Sequence, residues 1–191
     1  MRVSILAVEL AVRMDRAPRL HAHLCENTRR ALPAASLQEK WDFYASCAGA
    51  LRAELGAAER GCWDFFDDDA RARKDFEMWK GGMTTREGAR EAPSGEADPY
   101  RGGVRYLTFT IAMLLVHGSS SERAMAAACE IPDAQLWRRA SFARVLDAVR
   151  ALSFASVYSD VAYLIPRDAG WALTSEDLAQ EKFEYLRPIL D

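Results

Sequence analysis

The sequence predicts an α+β or α/β domain in which several helices pack on a small, at least partly parallel sheet of about three strands, so that the chain is mostly helical overall. Two segments, 104–117 and 154–165, are rich in β-branched and aliphatic residues and are bounded by turn-forming residues. A helix predicted between them indicates a right-handed crossover and a parallel pair. Residues 3–12 would supply the third strand that such a sheet needs.

The composition is that of one globular domain spanning residues 1–191. The chain is 50% hydrophobic and 28% charged, which is enough apolar material for a buried core. A net charge of -3 gives no electrostatic reason to bind nucleic acid. No apolar run is long enough to cross a bilayer. The four cysteines lack CxxC pairing and are expected to be reduced thiols, so we expect a cytoplasmic protein without an integral membrane segment.

The first part of the domain, residues 1–80, is predicted to be a strand followed by helices. Residues 3–12 alternate apolar side chains with small or polar ones, as a strand does, although their spacing also fits a helical stripe. A short helix is expected over 19–32. Ser36 and Glu39 have the spacing of a capping box and begin a second helix. Its predicted buried stripe consists of Leu37, Trp41, Tyr44, Ala48, Leu51 and Leu55.

A third helix is predicted over 67–80. The acidic run Asp67-Asp68-Asp69 at its start would complement the helix N-terminus. Glycine, proline and charged residues then dominate 81–103, which we expect to be a mobile linker or loop within the domain. No internal repeat is evident in the sequence.

The last part, residues 104–191, is predicted to form a strand, a helix, a second strand and a final helix. A short helix is expected before the long one, which begins at Pro132 and leads into the strand 154–165. Capping spacing marks the short helix and the final one, at Ser119 with Glu122 and at Thr174 with Asp177.

Four stretches of the sequence form a pattern that is known from a protein family. They are Thr108-Phe109-Thr110-Ile111-Ala112-Met113-Leu114-Leu115-Val116 before a serine-rich turn, Ile165-Pro166-Arg167-Asp168 leading to Leu173-Thr174-Ser175-Glu176-Asp177-Leu178, Cys62-Trp63-Asp64-Phe65-Phe66, and the opening Val3-Ser4-Ile5-Leu6. This pattern resembles the family catalogued as domain of unknown function 1517, found in cyanobacteria, chloroplasts and other bacteria. The resemblance implies no established activity and no functional residue. Plant members are associated with thylakoid membranes, and many members carry a membrane segment that this sequence lacks.

Two groups of residues are candidate binding sites for a protein partner. They are Arg138, Arg139 and Arg150 on the long helix, and Trp63, Phe65 and Phe66 before the third helix. The arginines would give the helix a basic surface for an acidic partner or for phosphate groups, although a solvated helix face is the commoner explanation of such residues. The aromatic residues would mark a partner site if exposed, and they would be core packing if buried.

An enzymatic alternative uses Glu9, Asp160 and the turn 117–121. The two carboxylates lie in predicted strands, and paired carboxylates perform acid–base chemistry when they approach each other. His117 and Ser119 lie where a strand leads into a helix, which suggests a hydrolase. However, the turn lacks the GxSxG elbow and the P-loop lysine, and serines at such positions are mostly helix caps.

One string, His21, His23 and Cys25, resembles a set of metal ligands. On a helix His21 and Cys25 share a face while His23 points away, so one helix cannot present all three to one ion. We therefore expect no metal site, and no cofactor is indicated.

The sequence favours a non-catalytic protein-interaction or scaffold/regulatory domain that binds a protein partner or forms a homo-oligomer. The alternative is a small ligand-binding protein or a hydrolase-like enzyme that uses Glu9, Asp160 and the 117–121 turn. A pocket joining these groups would support the alternative. A separation beyond the reach of a small substrate would rule it out.

Overall fold

A five-stranded antiparallel sheet lies at the centre of the protein. The structure, a computed structural model, describes residues 1–30, 35–84, 103–167 and 171–191. The strands are β1 (Val3–Arg13), β2 (Ala58–Phe66), β3 (Tyr106–Val116), β4 (Val157–Ile165) and β5 (Arg187–Pro188), arranged in the order β4-β3-β1-β2-β5. The helices are α1 (Leu20–Arg30), α2 (Leu37–Ala53), α3 (Asp69–Thr84), α4 (Ser120–Cys129) and α5 (Arg139–Arg150).

The prediction of a small, partly parallel sheet of three strands is wrong. Each paired strand runs antiparallel to its neighbour, and the sheet has five strands. The reason is that two helices, not one, connect β1 to β2 and β3 to β4. The second helix of each connection returns the chain to the end of the sheet that it left, so the next strand runs in the opposite direction. Both helices before β4 are predicted from the sequence, but the prediction of a parallel pair takes only the long one as the crossover.

The strand β2 was not predicted at all. Its sequence alternates poorly, because Gly61 and the charged residues before it interrupt the apolar pattern. Glycine is required at this position by packing: a Cβ atom on Gly61 would lie 2.8 Å from the ring of Phe142 and 2.9 Å from the carbonyl oxygen of Glu9. The close approach of a helix side chain therefore selects glycine inside a strand.

Both faces of the sheet are covered. On one side of β1 the apolar residues from Leu6 to Val12 pack against α1, α2, α4 and α5, and we call this side the four-helix face. On the other side the residues from Val3 to Ala7 pack against α3, and the C-terminal segment 171–191 covers the rest. We call this side the α3 face. Burial on both sides explains why β1 and β3 are almost continuously apolar.

The molecule contains an internal repeat that is not evident in the sequence. Each half has the order strand, helix, helix, 3-10 turn, strand, and the second half has one further 3-10 turn, Asp133–Gln135, between its helices. The first repeat is β1, α1, α2, the turn Leu55–Ala57 and β2, and the second is β3, α4, α5, the turn Phe154–Ser156 and β4. β1 and β3 both have 11 residues, and β2 and β4 both have 9.

The strand registers of the two repeats coincide. Ile5 lies opposite Phe66 as Thr108 lies opposite Ile165, and corresponding register shifts follow Ala11 and Leu114. β1 and β3 pair symmetrically about Val8 and Ile111. A pseudo-two-fold axis through this central pair therefore relates the repeats, although few of the equivalent residues are alike.

The predicted caps of α2 and α4 are confirmed. The Ser36 hydroxyl accepts a hydrogen bond from the Glu39 amide at 3.2 Å, and the Glu39 carboxylate accepts one from the Ser36 amide at 2.7 Å. At α4 the Ser119 hydroxyl accepts from the Glu122 amide at 3.1 Å. These short-range patterns are reliable because they satisfy backbone groups that every helix N-terminus leaves unpaired.

Three details of the helix predictions are wrong. The long helix α5 begins at Arg139 and not at Pro132, because the 3-10 turn Asp133–Gln135 precedes it. Leu37 and Trp41 are 56% and 39% exposed, and the buried residues of α2 are Tyr44, Cys47, Ala48 and Leu51. The final helix is replaced by the 3-10 turns Asp177–Ala179 and Glu181–Phe183. These turns lay Leu178, Phe183 and Leu186 on the sheet, so tertiary packing overrides the helical pattern of this segment.

Most of the predicted linker, 81–103, lies outside the described residues, and its first residues belong to α3. Within the described ranges, no helix has the length and apolar character required to cross a membrane.

Candidate functional site

A cleft opens between α1, α2 and the edge strand β4, on the four-helix face. Its volume is about 750 Å³, which is within the range of sites that hold small ligands. The lining includes the apolar residues Phe43, Ala162 and Leu164 and the polar residues Asn27, Lys40, Tyr44 and Asp160.

Lys40, Tyr44 and Asp160 form a polar group at the base of this cleft. Lys40 Nζ lies 2.5 Å from Asp160 Oδ1, and the Tyr44 hydroxyl donates to Asp160 Oδ2 at 3.1 Å. The Asp160 side chain is 15% exposed, so the ion pair and the hydrogen bond compensate for its burial. Burial, together with the neighbouring carboxylate, raises the pKa of Tyr44. The phenol therefore stays protonated and acts as a donor.

The wall of the cleft is held in place by aromatic contacts. The Tyr44 ring stacks on Phe154 with a centroid distance of 5.2 Å, and Phe43 meets it edge-on at 4.8 Å. On the α1 side, Asn27 Nδ2 donates to the Ser46 hydroxyl at 3.0 Å. These contacts restrict the side chains around the cleft to one arrangement.

The pseudo-two-fold axis relates the cleft to a place between α4, α5 and β2 that is filled. Trp63 of β2 pairs with Val8, and Ala162 of β4 pairs with Ile111. Trp63 and Ala162 therefore occupy equivalent positions in the two repeats. The indole Nε1 of Trp63 donates to the carbonyl oxygen of Leu136 at 2.9 Å. A tryptophan thus fills one half of the molecule where an alanine leaves space in the other.

The place equivalent to the polar group of Lys40, Tyr44 and Asp160 is apolar in the other half of the molecule. Asp160 has the strand position of Gly61, which lies under the ring of Phe142. Tyr44 covers Asp160 as Phe142 covers Gly61. The two halves share a backbone arrangement, and the cleft exists because side chains of different size and polarity occupy equivalent positions.

The sheet edge beside the cleft differs from the opposite edge. The outer edge of β2 is partly covered, because Arg60 and Gly61 pair with Pro188 and Arg187 of β5. No backbone hydrogen bond joins the outer edge of β4 to another segment within the described ranges. Among the described residues, the outward amide and carbonyl groups of β4 next to the cleft therefore have no backbone partner.

The structure does not bring Glu9 and Asp160 together. Glu9 lies opposite Thr110 and Cys62, so its side chain points to the α3 face, whereas Asp160 points to the four-helix face. Side chains alternate between the faces of a sheet, and these two fall on opposite sides. Asp160 lines the cleft without Glu9, so no shared carboxylate site forms.

Glu9 is fully buried in the middle of β1. The Tyr185 hydroxyl donates to Oε2 at 2.9 Å, and Oε1 has no hydrogen-bond partner among the described residues. Burial raises the pKa of Glu9 to about 7, against the lowering effect of the bond from Tyr185. With 0% exposure, Glu9 has no contact with solvent.

His117 and Ser119 belong to the start of α4. Ser119 serves as the cap described above, and His117 Nδ1 lies 3.5 Å from Glu122 Oε1. The same Glu122 oxygen accepts from the hydroxyl of Ser4 on β1 at 3.0 Å. The turn thus joins α4 to the sheet, and neither His117 nor Ser119 lines the cleft.

The three arginines proposed as a binding surface contact the chain itself. Arg138 Nη1 donates to the carbonyl oxygen of Asp191 at 2.9 Å, and Arg139 Nε donates to the Asp191 carboxylate at 2.9 Å. Arg150 Nη1 lies 3.4 Å from the Asp147 carboxylate. Arg138 and Arg139 therefore hold the C-terminal segment against the start of α5.

Trp63, Phe65 and Phe66 do not form one patch. Trp63 and Phe65 pack on the four-helix face, and Phe66 packs on the α3 face beneath Arg71, whose guanidinium lies 4.2 Å from the ring centroid. The reason is that neighbouring residues of a strand point to opposite faces.

The histidines and the cysteine of α1 have other partners. His21 Nε2 donates to the carbonyl oxygen of Pro166 at 2.8 Å, His23 Nε2 bonds to Ser46, and Cys25 Sγ donates to the carbonyl oxygen of Arg167 at 3.1 Å. In the part of the chain that the structure describes, no three His, Cys, Asp or Glu side chains are grouped as metal ligands.

Lys40 and Tyr44 are site residues that sequence reasoning missed. Tyr44 was assigned to the core, and Lys40 was given no role. They lie four residues apart on α2 and so share a face, which was the available signal. Their partner Asp160 lies 120 positions from Lys40, and only the pairing of β4 brings it near.

Comparisons with protein-family models, with curated proteins and with solved structures find no match. The resemblance to the family of unknown function 1517 therefore stays a prediction.

Proposed function

We propose that this protein is a non-catalytic protein-interaction domain whose binding surface is the outer edge of β4 together with the adjoining cleft. The observation that carries the proposal is the difference between the two sheet edges. β5 covers the edge of β2, and Trp63 fills the space beside that edge. No described residue pairs with the outer edge of β4, which adjoins the cleft. An open edge strand pairs readily with another chain.

The composition of β4 supports this role. Edge strands that must not pair are usually protected by lysine, proline, a bulge, an inward-pointing charge or short length. β4 has nine residues, contains neither lysine nor proline, and has Asp160 as its single charged residue. Its register shift near Tyr158 has an equivalent in β2, which nevertheless pairs with β5. Because Lys40 neutralises the charge of Asp160, the strand can approach another strand without repulsion.

The chemistry of the cleft also suits binding. The Asp160 carboxylate is held by an ion pair and a hydrogen bond, and the Tyr44 phenol has a raised pKa. Groups held in this way orient a bound side chain through hydrogen bonds.

Hydrogen exchange on the full chain tests the proposal. A partner is captured from an extract of the native host, purified and mixed with the protein. We expect amides of Val157–Ile165 to exchange more slowly in the complex, while amides of β1, already paired on both sides, change little. A complex that protects another surface and leaves β4 unchanged would contradict the proposal.

A second candidate function is the binding of a small ligand in the cleft. It is favoured by the cavity volume and by the convergence of Lys40, Tyr44 and Asp160. A thermal-shift screen of a metabolite library tests it. A ligand that stabilises the wild type but not the Ala162→Trp variant would support this function, and a library without such a ligand would argue against it.

A further inference from the structure

The chain itself contains an example of a segment added to a sheet edge. β5 pairs antiparallel with β2, with Pro188 opposite Arg60 and Arg187 opposite Gly61. The amide of Ile189 then donates to the carbonyl oxygen of Glu59 at 2.9 Å, and Ile189 packs against the core of the four-helix face. A short extended segment thus covers this edge, and backbone hydrogen bonds of Leu190 with Trp137 and Arg139 hold it from the other side.

A rotation about the pseudo-two-fold axis would place the equivalent of β5 at the outer edge of β4. Arg60 and Gly61 of β2 correspond to Ser159 and Asp160 of β4. The equivalent position for an added segment is thus opposite Ser159 and Asp160, directly beside the cleft. Equal registers in the two repeats mean that the backbone of β4 presents its outer edge as β2 does.

The cleft indicates which side chain such a segment carries. The space above Ala162 corresponds to the position of the Trp63 side chain in the other half. Its walls include Phe43 and Leu164, and its base holds the Asp160 carboxylate. An aromatic ring fills such a space, and an indole N–H or a phenol O–H can donate to the carboxylate.

From these three observations we infer that β4 binds an extended segment of a partner protein as an added antiparallel strand opposite Ser159 and Asp160, with a Trp or Tyr side chain of that segment inserted in the cleft above Ala162. The inference rests on the proposed protein-binding function and specifies its partner. Backbone pairing supplies the affinity, and the aromatic anchor supplies the selectivity.

A random peptide library of about twelve residues, displayed on phage and selected against the full chain, tests this inference. We expect the enriched peptides to share a Trp or Tyr among β-branched residues. We also expect their synthetic versions to slow hydrogen exchange in Val157–Ile165. Replacing the shared aromatic residue of a peptide by alanine should weaken its binding about tenfold or more.

The matched variants are Ala162→Trp and Met78→Trp. The first places in the cleft the residue that fills the other half, and it should weaken peptide binding about tenfold or more. The second adds the same indole at an exposed position of α3, away from β4 and the cleft, and should change binding by less than about twofold. The alanine-substituted peptides test the anchor independently of how the Ala162→Trp variant folds.

The outcomes separate the two proposals. Peptides that protect β4 but lack a shared aromatic residue, or that bind the Ala162→Trp variant equally well, would overturn the aromatic anchor and leave the interaction function standing. A selection that enriches no peptide, or peptides that protect another surface, would contradict both. A dimer with β4 amides already protected in the free protein would show that a second copy occupies the edge, which overturns the inference.

Discussion

Glu9 is an ionisable side chain without access to solvent, at the middle of the strand on which the sheet is centred. Burial disfavours its charged form, so the pKa rises from 4.5 to about 7. The Tyr185 hydroxyl donates to its carboxylate, and the Thr110 side chain also lowers its pKa, but burial outweighs both. At neutral pH the protein therefore carries the cost of a partly ionised group inside its core.

Stability should fall as this group ionises. The unfolded chain releases the proton near 4.5 and the folded chain near 7, so the folded state binds more protons between these values. The free energy of unfolding therefore decreases as pH rises from about 4.5 to about 7, by about 3 kcal/mol in total from this group. Below 4.5 the stabilising contribution is fully present.

The variant Glu9→Gln tests this dependence, because it keeps the shape of the side chain and removes the titration. Urea unfolding at several pH values should show a flatter pH profile than that of the wild type. As a control, Tyr185→Phe removes the donor, raises the pKa of Glu9 further and should extend the decline to higher pH. An unchanged profile in Glu9→Gln would contradict the assignment.

Gly61 is the residue on which the fit between β2 and α5 depends. A methyl group there would meet Phe142, Leu10 and the Glu9 carbonyl oxygen within 3.0 Å. We expect Gly61→Ala to destabilise the protein by about 2 kcal/mol, because the backbone contact cannot move aside easily. Gly56→Ala is the matched control, since a Cβ atom at Gly56 has no neighbour within 4 Å. Urea midpoints compare them, and equal stabilities would contradict the packing argument.

At the scale of elements, the Arg139 side chain adds to the backbone hydrogen bonds that join the start of α5 to the C-terminal segment. Its guanidinium donates to the carbonyl oxygens of Leu55 and Ala58, the latter at 3.3 Å, and to the Asp191 carboxylate. One side chain thus joins the first repeat, the second repeat and the end of the C-terminal segment. Arg139, which the sequence pattern placed on a candidate binding surface, contacts other parts of the chain instead.

Removing this contact should loosen the covered edge of the sheet. We expect Arg139→Ala to lower the free energy of unfolding by about 2 kcal/mol, because two carbonyl acceptors lose a charged donor. We also expect faster hydrogen exchange in β5 and at the end of the chain. Arg150→Ala is the control, because its contact with Asp147 is long and exposed and such pairs contribute little. Similar losses in both variants would contradict the proposed role of Arg139.

At the scale of the whole molecule, the two repeats share one core. β1 and β3 pair along their full length at the centre of the sheet, and residues of α1, α2, α4 and α5 belong to one apolar cluster. Neither repeat can bury its apolar surface alone, because each supplies one central strand and half of the helical layer.

The protein should therefore unfold in one cooperative transition. Tryptophan fluorescence and far-ultraviolet circular dichroism should report coincident urea midpoints. Separate midpoints would indicate that the repeats unfold independently and would contradict a shared core. Gly61→Ala provides a further check, because destabilising one repeat should shift both signals together.

Short-range patterns predicted much of the secondary structure and little of the arrangement. The capping pair Ser36 and Glu39 and the apolar stretch of β3 were identified correctly, because caps and burial are expressed in a few neighbouring residues. β2 was missed because its apolar pattern is interrupted by Gly61. Glycine is needed there to make room for Phe142, which is remote in sequence. The internal repeat was missed because equivalent positions hold different residues, as Trp63 and Ala162 do.

The sequence by itself determined that β3 is a buried strand, where most helices begin, and that Asp160 lies in a strand, and it favoured a strand over a helix for β1. The tertiary structure decided the direction and order of the strands, the opposite orientations of Glu9 and Asp160, and the meeting of Lys40, Tyr44 and Asp160 in a cleft. The physical reason is that helix caps and hydrophobic periodicity act over a few residues. Strand pairing and the filling of space depend on side chains that only the folded chain brings into contact.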